Sequence, residues 1–104
     1  MVVKIVNPSY SYLGGAKVSF SATVQLLTDD EAVELYSKTI AITQNLQDSN
    51  WKDKMIKQYT AEAQSVVDKY KEIMSVVQQA YPDAASPEEA MTMLAEEVQG
   101  KVVT

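Results

Sequence analysis

The chain has 104 residues and contains no cysteine, no histidine and no arginine. The absence of cysteine excludes disulfides, thiolate nucleophiles and cysteine-based metal sites. Without histidine, no side chain has an ordinary pKa suited to acid–base catalysis at neutral pH. Without arginine, the chain cannot form the bidentate contacts that read phosphate and guanine. These absences argue against catalysis and against nucleic-acid binding.

Glycine, proline and long apolar runs are also scarce. There are three glycines and three prolines, and no glycine-rich phosphate-binding motif or nucleophile elbow occurs. No apolar run approaches the roughly 18 residues that a membrane span needs, and Met1–Val6 does not read as a signal peptide. We therefore expect no catalytic, cofactor-binding or metal-binding residues, no membrane contact, and a cytoplasmic location, or a virion if the chain is a viral component.

The composition is that of a folded protein. Apolar residues make up 46% of the chain, which predicts one domain over residues 1–104 with a modest core. The net charge is −5, from fourteen acidic residues and nine lysines. The acidic clusters lie at the starts of predicted helices, where carboxylates complement the helix dipole, so we do not interpret them as metal sites.

The first 27 residues predict a β-hairpin. Apolar and polar residues alternate strictly from Lys17 to Leu26, which is the period of a half-buried strand. The pair Gly14-Gly15 suits a two-residue turn, because both residues tolerate positive φ. Folding the chain on this turn places Tyr10 and Tyr12 on the polar face. Pro8 cannot donate to a ladder and predicts a bulge or an edge strand.

Three helices are predicted after the hairpin. The T-x-x-E sequence at Thr28 has the form of a capping box and predicts a helix over 29–47 with a broad apolar face. The second helix is predicted over 51–81 and ends before Pro82. Its apolar residues follow a 3-4 spacing: Ile56, Tyr59, Ala63, Val66, Tyr70, Ile73, Val77 and Ala80.

The third helix is predicted over 87–99. Ser86 is a good N-cap, a proline and two glutamates follow it, and Gly100 suits the C-terminal end. The apolar residues of its predicted inner face are Met91, Leu94, Ala95 and Val98. Residues 101–104 are compatible either with a short third strand or with a tail.

The predicted fold class is therefore α+β, with a β-hairpin packed against three helices. The first two helices are expected to form an antiparallel helical hairpin, in which the second is the longer and overhangs the first. That overhang and the two open edges of the hairpin leave surfaces that a partner can cover.

From these surfaces we expect a non-catalytic interaction or assembly module that self-associates, such as a small component of a virus particle. The expected partners are proteins, a second copy first among them. The candidate interface residues are Tyr10, Tyr12, Trp51, Met55, Tyr59, Tyr70, Met74 and Tyr81. Aromatic residues and methionine are enriched at interfaces, although packing within the chain is the simpler explanation for the positions on the helices. The acidic composition keeps an alternative open, an inhibitor or regulator that binds a basic site on a larger protein.

The segment Leu46–Tyr59 resembles the WXG100 family of small, acidic, secreted helical-hairpin proteins. In that family two helices join at a Trp-x-Gly turn, and here Trp51 stands at a predicted helix junction. The tripeptide differs, because the chain continues with Lys52 and Asp53. The resemblance implies a helical hairpin that forms dimers.

Overall fold

Three antiparallel strands precede two helices in the computed structural model, which describes residues 1–103. The strands are β1 (Val2–Gly14), β2 (Lys17–Leu27) and β3 (Glu34–Asn45), paired in the order β1-β2-β3. The helices are α1 (Trp51–Ala80) and α2 (Pro87–Lys101). The chain divides into two compact units, one over residues 1–67 and one from Asp68 onward. The fold class is α+β, but the predicted arrangement of a β-hairpin packed against three helices is wrong.

The helix predicted over 29–47 is the strand β3. Its buried side chains are Ile40, Ile42 and Gln44, and the residues between them are exposed. This is the period of two that a strand requires, whereas residues two apart do not face each other on a helix. Residues 39–43 are also mostly β-branched, which favours a strand. The predicted antiparallel helical hairpin therefore does not form.

The T-x-x-E sequence closes the connection between β2 and β3 instead of capping a helix. The backbone N–H of Thr28 donates to the carbonyl of Val33 at 3.0 Å. The Asp30 carboxylate accepts the Thr28 hydroxyl at 2.5 Å and a backbone N–H at 3.0 Å, and these bonds lower the pKa of Asp30. Glu31 takes a left-handed conformation with φ of 60°, and its carboxylate pairs with Lys4. The Asp30 side chain thus forms hydrogen bonds within the loop, and the segment does not begin a helix.

A bulge at Asn7 and Pro8 divides the pairing of β1 with β2. Before the bulge, Ile5 lies opposite Val24, in the register that the sequence predicts. After the bulge, the register is displaced by one residue, and Tyr10 lies opposite Phe20. Asn7 has a φ of 54°, a left-handed conformation that asparagine tolerates, and Pro8 has no N–H to leave unpaired. Pro8 predicts a bulge or an edge strand, and both features are present here.

The bulge changes which face of the sheet carries the tyrosines. Because side chains alternate along a strand, one extra residue moves all later side chains to the opposite face. Tyr10 and Tyr12 therefore lie on the apolar face, together with Val3 and Ile5. Their predicted place on the polar face is wrong.

The apolar face of the sheet packs against the first half of α1. The buried sheet residues are Ala22, Val24, Leu26, Leu27, Ile40 and Ile42, and the buried α1 residues of this unit are Met55, Tyr59, Val66 and Val67. The Tyr59 hydroxyl donates to the carbonyl of Ala22 at 2.8 Å. The Tyr59 and Phe20 rings meet edge to face, with their centroids 5.7 Å apart. The Gln44 amide donates to the Gln58 side-chain oxygen, so this buried amide has a partner.

The second unit contains the end of α1, a short connection and α2. Its buried residues are Tyr70, Met74, Ala84 and Ala90. The Ser86 hydroxyl accepts the backbone N–H of Glu89 at 3.1 Å, and the Glu89 carboxylate accepts the backbone N–H of Ala85 at 2.9 Å. Ser86 therefore caps the helix as predicted, and the Glu89 side chain bonds to the N–H of the residue before the cap instead of the N–H of Ser86.

The predicted inner face of the third helix is wrong. Met91, Leu94 and Val98 do not face inward, since they are 41%, 37% and 55% exposed. Ala90 is buried and Met93 half-buried, so α2 is rotated relative to the prediction. The short third strand is also absent from the described residues, because α2 extends to Lys101 and neither residue 102 nor residue 103 is in a strand; residue 104 lies outside the described residues.

Replacing Tyr59 by phenylalanine should lower the free energy of unfolding by about 1 kcal/mol, because the buried carbonyl of Ala22 loses its hydroxyl partner. Urea denaturation followed by circular dichroism measures the change. The matched control is Tyr10→Phe, which removes a hydroxyl at a residue that is 77% exposed and should change stability by less than about 0.5 kcal/mol. Equal effects of the two changes would contradict the role of the Tyr59 hydroxyl.

The stability should also fall at alkaline pH. Desolvation raises the pKa of Tyr59, and desolvation together with the Glu88 carboxylate raises the pKa of Tyr70. The folded state therefore holds these protons more tightly than the unfolded chain does. This contribution is complete below the unfolded pKa of about 10 and is lost as the pH rises through the folded values. Denaturant midpoints measured on both sides of pH 10 should show the decline, and Tyr59→Phe should make it shallower; an unchanged slope would contradict the assignment.

Candidate protein-binding surface

An open pocket lies between β2 and the start of α1. Its volume is about 390 Å³, and we call it the groove; the residues that line it are Phe20, Trp51, Lys52, Met55, Ile56, Tyr59 and Thr60. Strand alternation places Phe20 on the helix-bearing face, and the 3-4 spacing of α1 places its residues along the other wall. Met55 and Tyr59 are buried, whereas Ile56 is more than half exposed. The groove is thus apolar and open to solvent.

The groove has room for side chains of a partner. A cavity of about 150 Å³ already holds a benzene ring, and the groove is more than twice that size. Lys52 is the one charged residue among those lining it. An apolar side chain entering the groove would therefore leave water for a mostly apolar surrounding.

A row of exposed apolar residues on β1 continues from the groove. We call it the β1 stripe; it consists of Val3, Ile5, Tyr10 and Tyr12. Tyr10 and Tyr12 are 77% and 70% exposed. Tyr10 lies opposite Phe20, which lines the groove, and paired side chains on one face of a sheet are in contact range. The groove and the β1 stripe therefore form one apolar surface on the first unit.

Both edges of the sheet carry features that discourage further strand pairing. On β1, the bulge at Asn7 and Pro8 interrupts the ladder. On β3, Lys38 lies opposite Val24 and thus on the apolar face, where an inward-directed charge opposes edge-to-edge association. The face of the sheet is therefore better suited to a further contact than its edges are.

Charge is unevenly divided between the two units. The first unit has six lysines and seven acidic residues, and the second has three lysines and seven acidic residues. The first eight residues of α1 contain three lysines and one aspartate. Lys54 pairs with Asp48 at 3.4 Å. The end of α1 that borders the groove is therefore locally basic, although the chain as a whole is acidic.

The structure brings five of the eight predicted interface residues to this surface. Trp51, Met55 and Tyr59 line the groove, and Tyr10 and Tyr12 belong to the β1 stripe. The other three lie in the second unit and serve its own packing: Tyr70 and Met74 are buried, and Tyr81 donates its hydroxyl to Glu97 at 2.6 Å, which raises the pKa of Tyr81.

Sequence reasoning missed the other six residues of the surface, which are Val3, Ile5, Phe20, Lys52, Ile56 and Thr60. Ile56 is the first residue of the 3-4 series on α1, and the first residue of such a series can be exposed. The alternation of β2 places Phe20 on the apolar face, and Pro8 is the signal for the bulge that brings Tyr10 opposite it.

The described part of the chain shows no sign of a metal site or a membrane span. Across residues 1–103, no group of three or more acidic, histidine or cysteine side chains is arranged to hold a metal ion. Within the same range, neither helix has the length and apolar character needed to cross a bilayer. Titratable groups with a resolved pKa shift are engaged in the packing already described.

Comparison with protein-family models, with curated proteins and with solved structures gave no significant match. The resemblance around Trp51 to the WXG100 family is therefore without support from these comparisons. The fold also departs from it, because the residues before Trp51 form the strand β3 where the family has a helix.

Proposed function

We propose that this chain is a non-catalytic protein–protein interaction module that self-associates through the groove and the β1 stripe. The observation that carries the proposal is that these two features are continuous. Tyr10 of the β1 stripe lies opposite Phe20, which lines the groove. Aromatic residues and methionine at the centre of a surface with few charges are typical of interface cores. A small chain of this kind suits a component of a larger assembly such as a virus particle.

A second copy is the partner that the charge distribution favours. The first unit, which carries the surface, has a net charge of only −1 by its lysines and acidic residues. Repulsion between two copies at this surface is therefore weak. Tyrosine and tryptophan, the residue types that dominate binding energy, are exposed at Tyr10, Tyr12 and Trp51.

A second candidate function is an acidic regulator that binds a basic site on a larger protein. Its support is the second unit, where seven acidic residues outnumber three lysines. Part of that acidity already serves the unit itself, because Glu89 accepts the Ala85 N–H and Glu97 accepts the Tyr81 hydroxyl. Such a regulator would be monomeric on its own, so the solution mass separates the two candidates.

Sedimentation equilibrium over micromolar to high-micromolar concentrations should show reversible self-association of the chain. Tyr10→Glu should weaken it by about tenfold or more, because a charge would have to be buried beside the groove. The matched control is Ser11→Glu, which adds the same charge to the same strand at the adjacent position. Adjacent side chains point to opposite faces, so the control should leave association within about twofold of the original.

Two results would overturn the proposal. The first is a monomer throughout the concentration range, which would favour the acidic regulator. The second is equal weakening by Tyr10→Glu and Ser11→Glu, which would mean that association does not use the apolar face. Circular dichroism of both variants checks that their folds are retained.

A further inference from the structure

We propose that α2 of one copy docks in the groove of a second copy, so that copies associate head to tail. The inference rests on the proposed self-association and identifies the segment that occupies the groove. The docking residues are Met91, Leu94 and Val98, which we call the α2 stripe. These side chains are exposed although they follow the spacing of a buried helix face.

The α2 stripe has the form that helix-binding grooves recognise. Its residues stand at positions i, i+3 and i+7, the usual anchors of a helix that lies in a groove. Seven residues extend about 10 Å along a helix, and the groove wall from Trp51 to Thr60 extends about 14 Å. Three anchors can therefore lie along the wall of one groove.

Charge supports the same pairing. Helix α2 carries four glutamates and one lysine, whereas the first eight residues of α1 carry three lysines and one aspartate. An acidic helix therefore meets a basic helix end, with Lys52 inside the groove itself. Complementary charge of this kind favours the encounter and fixes the orientation of the docked helix.

Docking requires no unfolding of the second unit. Helix α2 uses another stripe for its own unit, consisting of Ala90, Met93 and Glu97. Ala90 is fully buried, and Glu97 accepts the Tyr81 hydroxyl. The α2 stripe lies on a different side of the helix, since Met91 and Ala90 are adjacent residues about 100° apart. One side of α2 thus holds it in place while the other remains free for a second copy.

The two docking surfaces are different, so the contact is heterologous. A heterologous contact repeats from copy to copy and forms either a ring or an open chain. Self-association by this route therefore gives closed rings, of which a reciprocal dimer is the smallest, or open chains. Loss of one of the two surfaces leaves the other intact, which allows a test by complementation.

Two single substitutions at exposed residues test the inference. Ile56→Glu places a charge in the groove, and Leu94→Lys places one in the α2 stripe. Each variant alone should self-associate about tenfold or more weakly than the original chain. An equimolar mixture should form a dimer containing one copy of each, because the first variant retains its α2 stripe and the second retains its groove. Analytical ultracentrifugation of one fluorescently labelled variant with the other measures this.

Matched controls add the same charges on other sides of the helices. They are Ala61→Glu on α1 and Gln99→Lys on α2, both at exposed residues. Both controls should associate like the original chain, and circular dichroism should show native helix content for all four variants.

The outcomes separate this inference from the proposed function. Unchanged association of the Leu94→Lys variant, together with loss in the Ile56→Glu variant, would overturn docking of α2 while leaving association through the groove. A mixture in which both variants stay monomeric would also overturn it. A chain that is monomeric without substitutions would overturn the proposed function as well.

Discussion

The bulge at Asn7 and Pro8 is the constraint on which the exposed surface depends. Proline has no N–H for the ladder, and the left-handed conformation of Asn7 absorbs one extra residue. Without that residue, Tyr10 and Tyr12 would point to the polar face of the sheet. With it, they extend the apolar face beside the groove. A local feature of the backbone thus decides which side chains the edge strand presents on the apolar face.

The widths of the two layers explain why this apolar face remains partly open. A helix with its side chains is about 10–12 Å wide, and strands lie about 4.8 Å apart. One helix therefore covers roughly two strands. Accordingly, Ala22 and Val24 on β2 and Ile40 on β3 are buried, whereas Ile5 and Tyr10 on β1 are half or more exposed. Burying the face of β1 requires a further element, and the first unit has no second helix to supply it.

The sequence predicts those elements in which one periodicity is unopposed. The alternation of apolar residues identifies β2, and the 3-4 spacing identifies α1. Pro82 places the predicted end of α1 within one residue of its observed end at Ala80. β3 is missed because Thr28 and Glu31 satisfy a helix-capping pattern, whereas the Thr28 hydroxyl forms hydrogen bonds within the loop and Glu31 pairs with Lys4. Much of the candidate site follows from aromatic content, but the face carrying the tyrosines depends on a one-residue change of register that a regular pairing overlooks.

The lysines at the start of α1 link the local energetics to the proposed assembly. The N-terminus of a helix carries partial positive charge, so lysines in its first turns are unfavourable by a few tenths of a kcal/mol to about 1 kcal/mol each. Lys54 is compensated by Asp48, whereas Lys52 lines the groove. An acidic helix placed there would compensate both the lysine and the helix dipole. The same carboxylates that make α2 acidic would then stabilise the α1 terminus of a second copy, so that an unfavourable local charge becomes favourable on assembly.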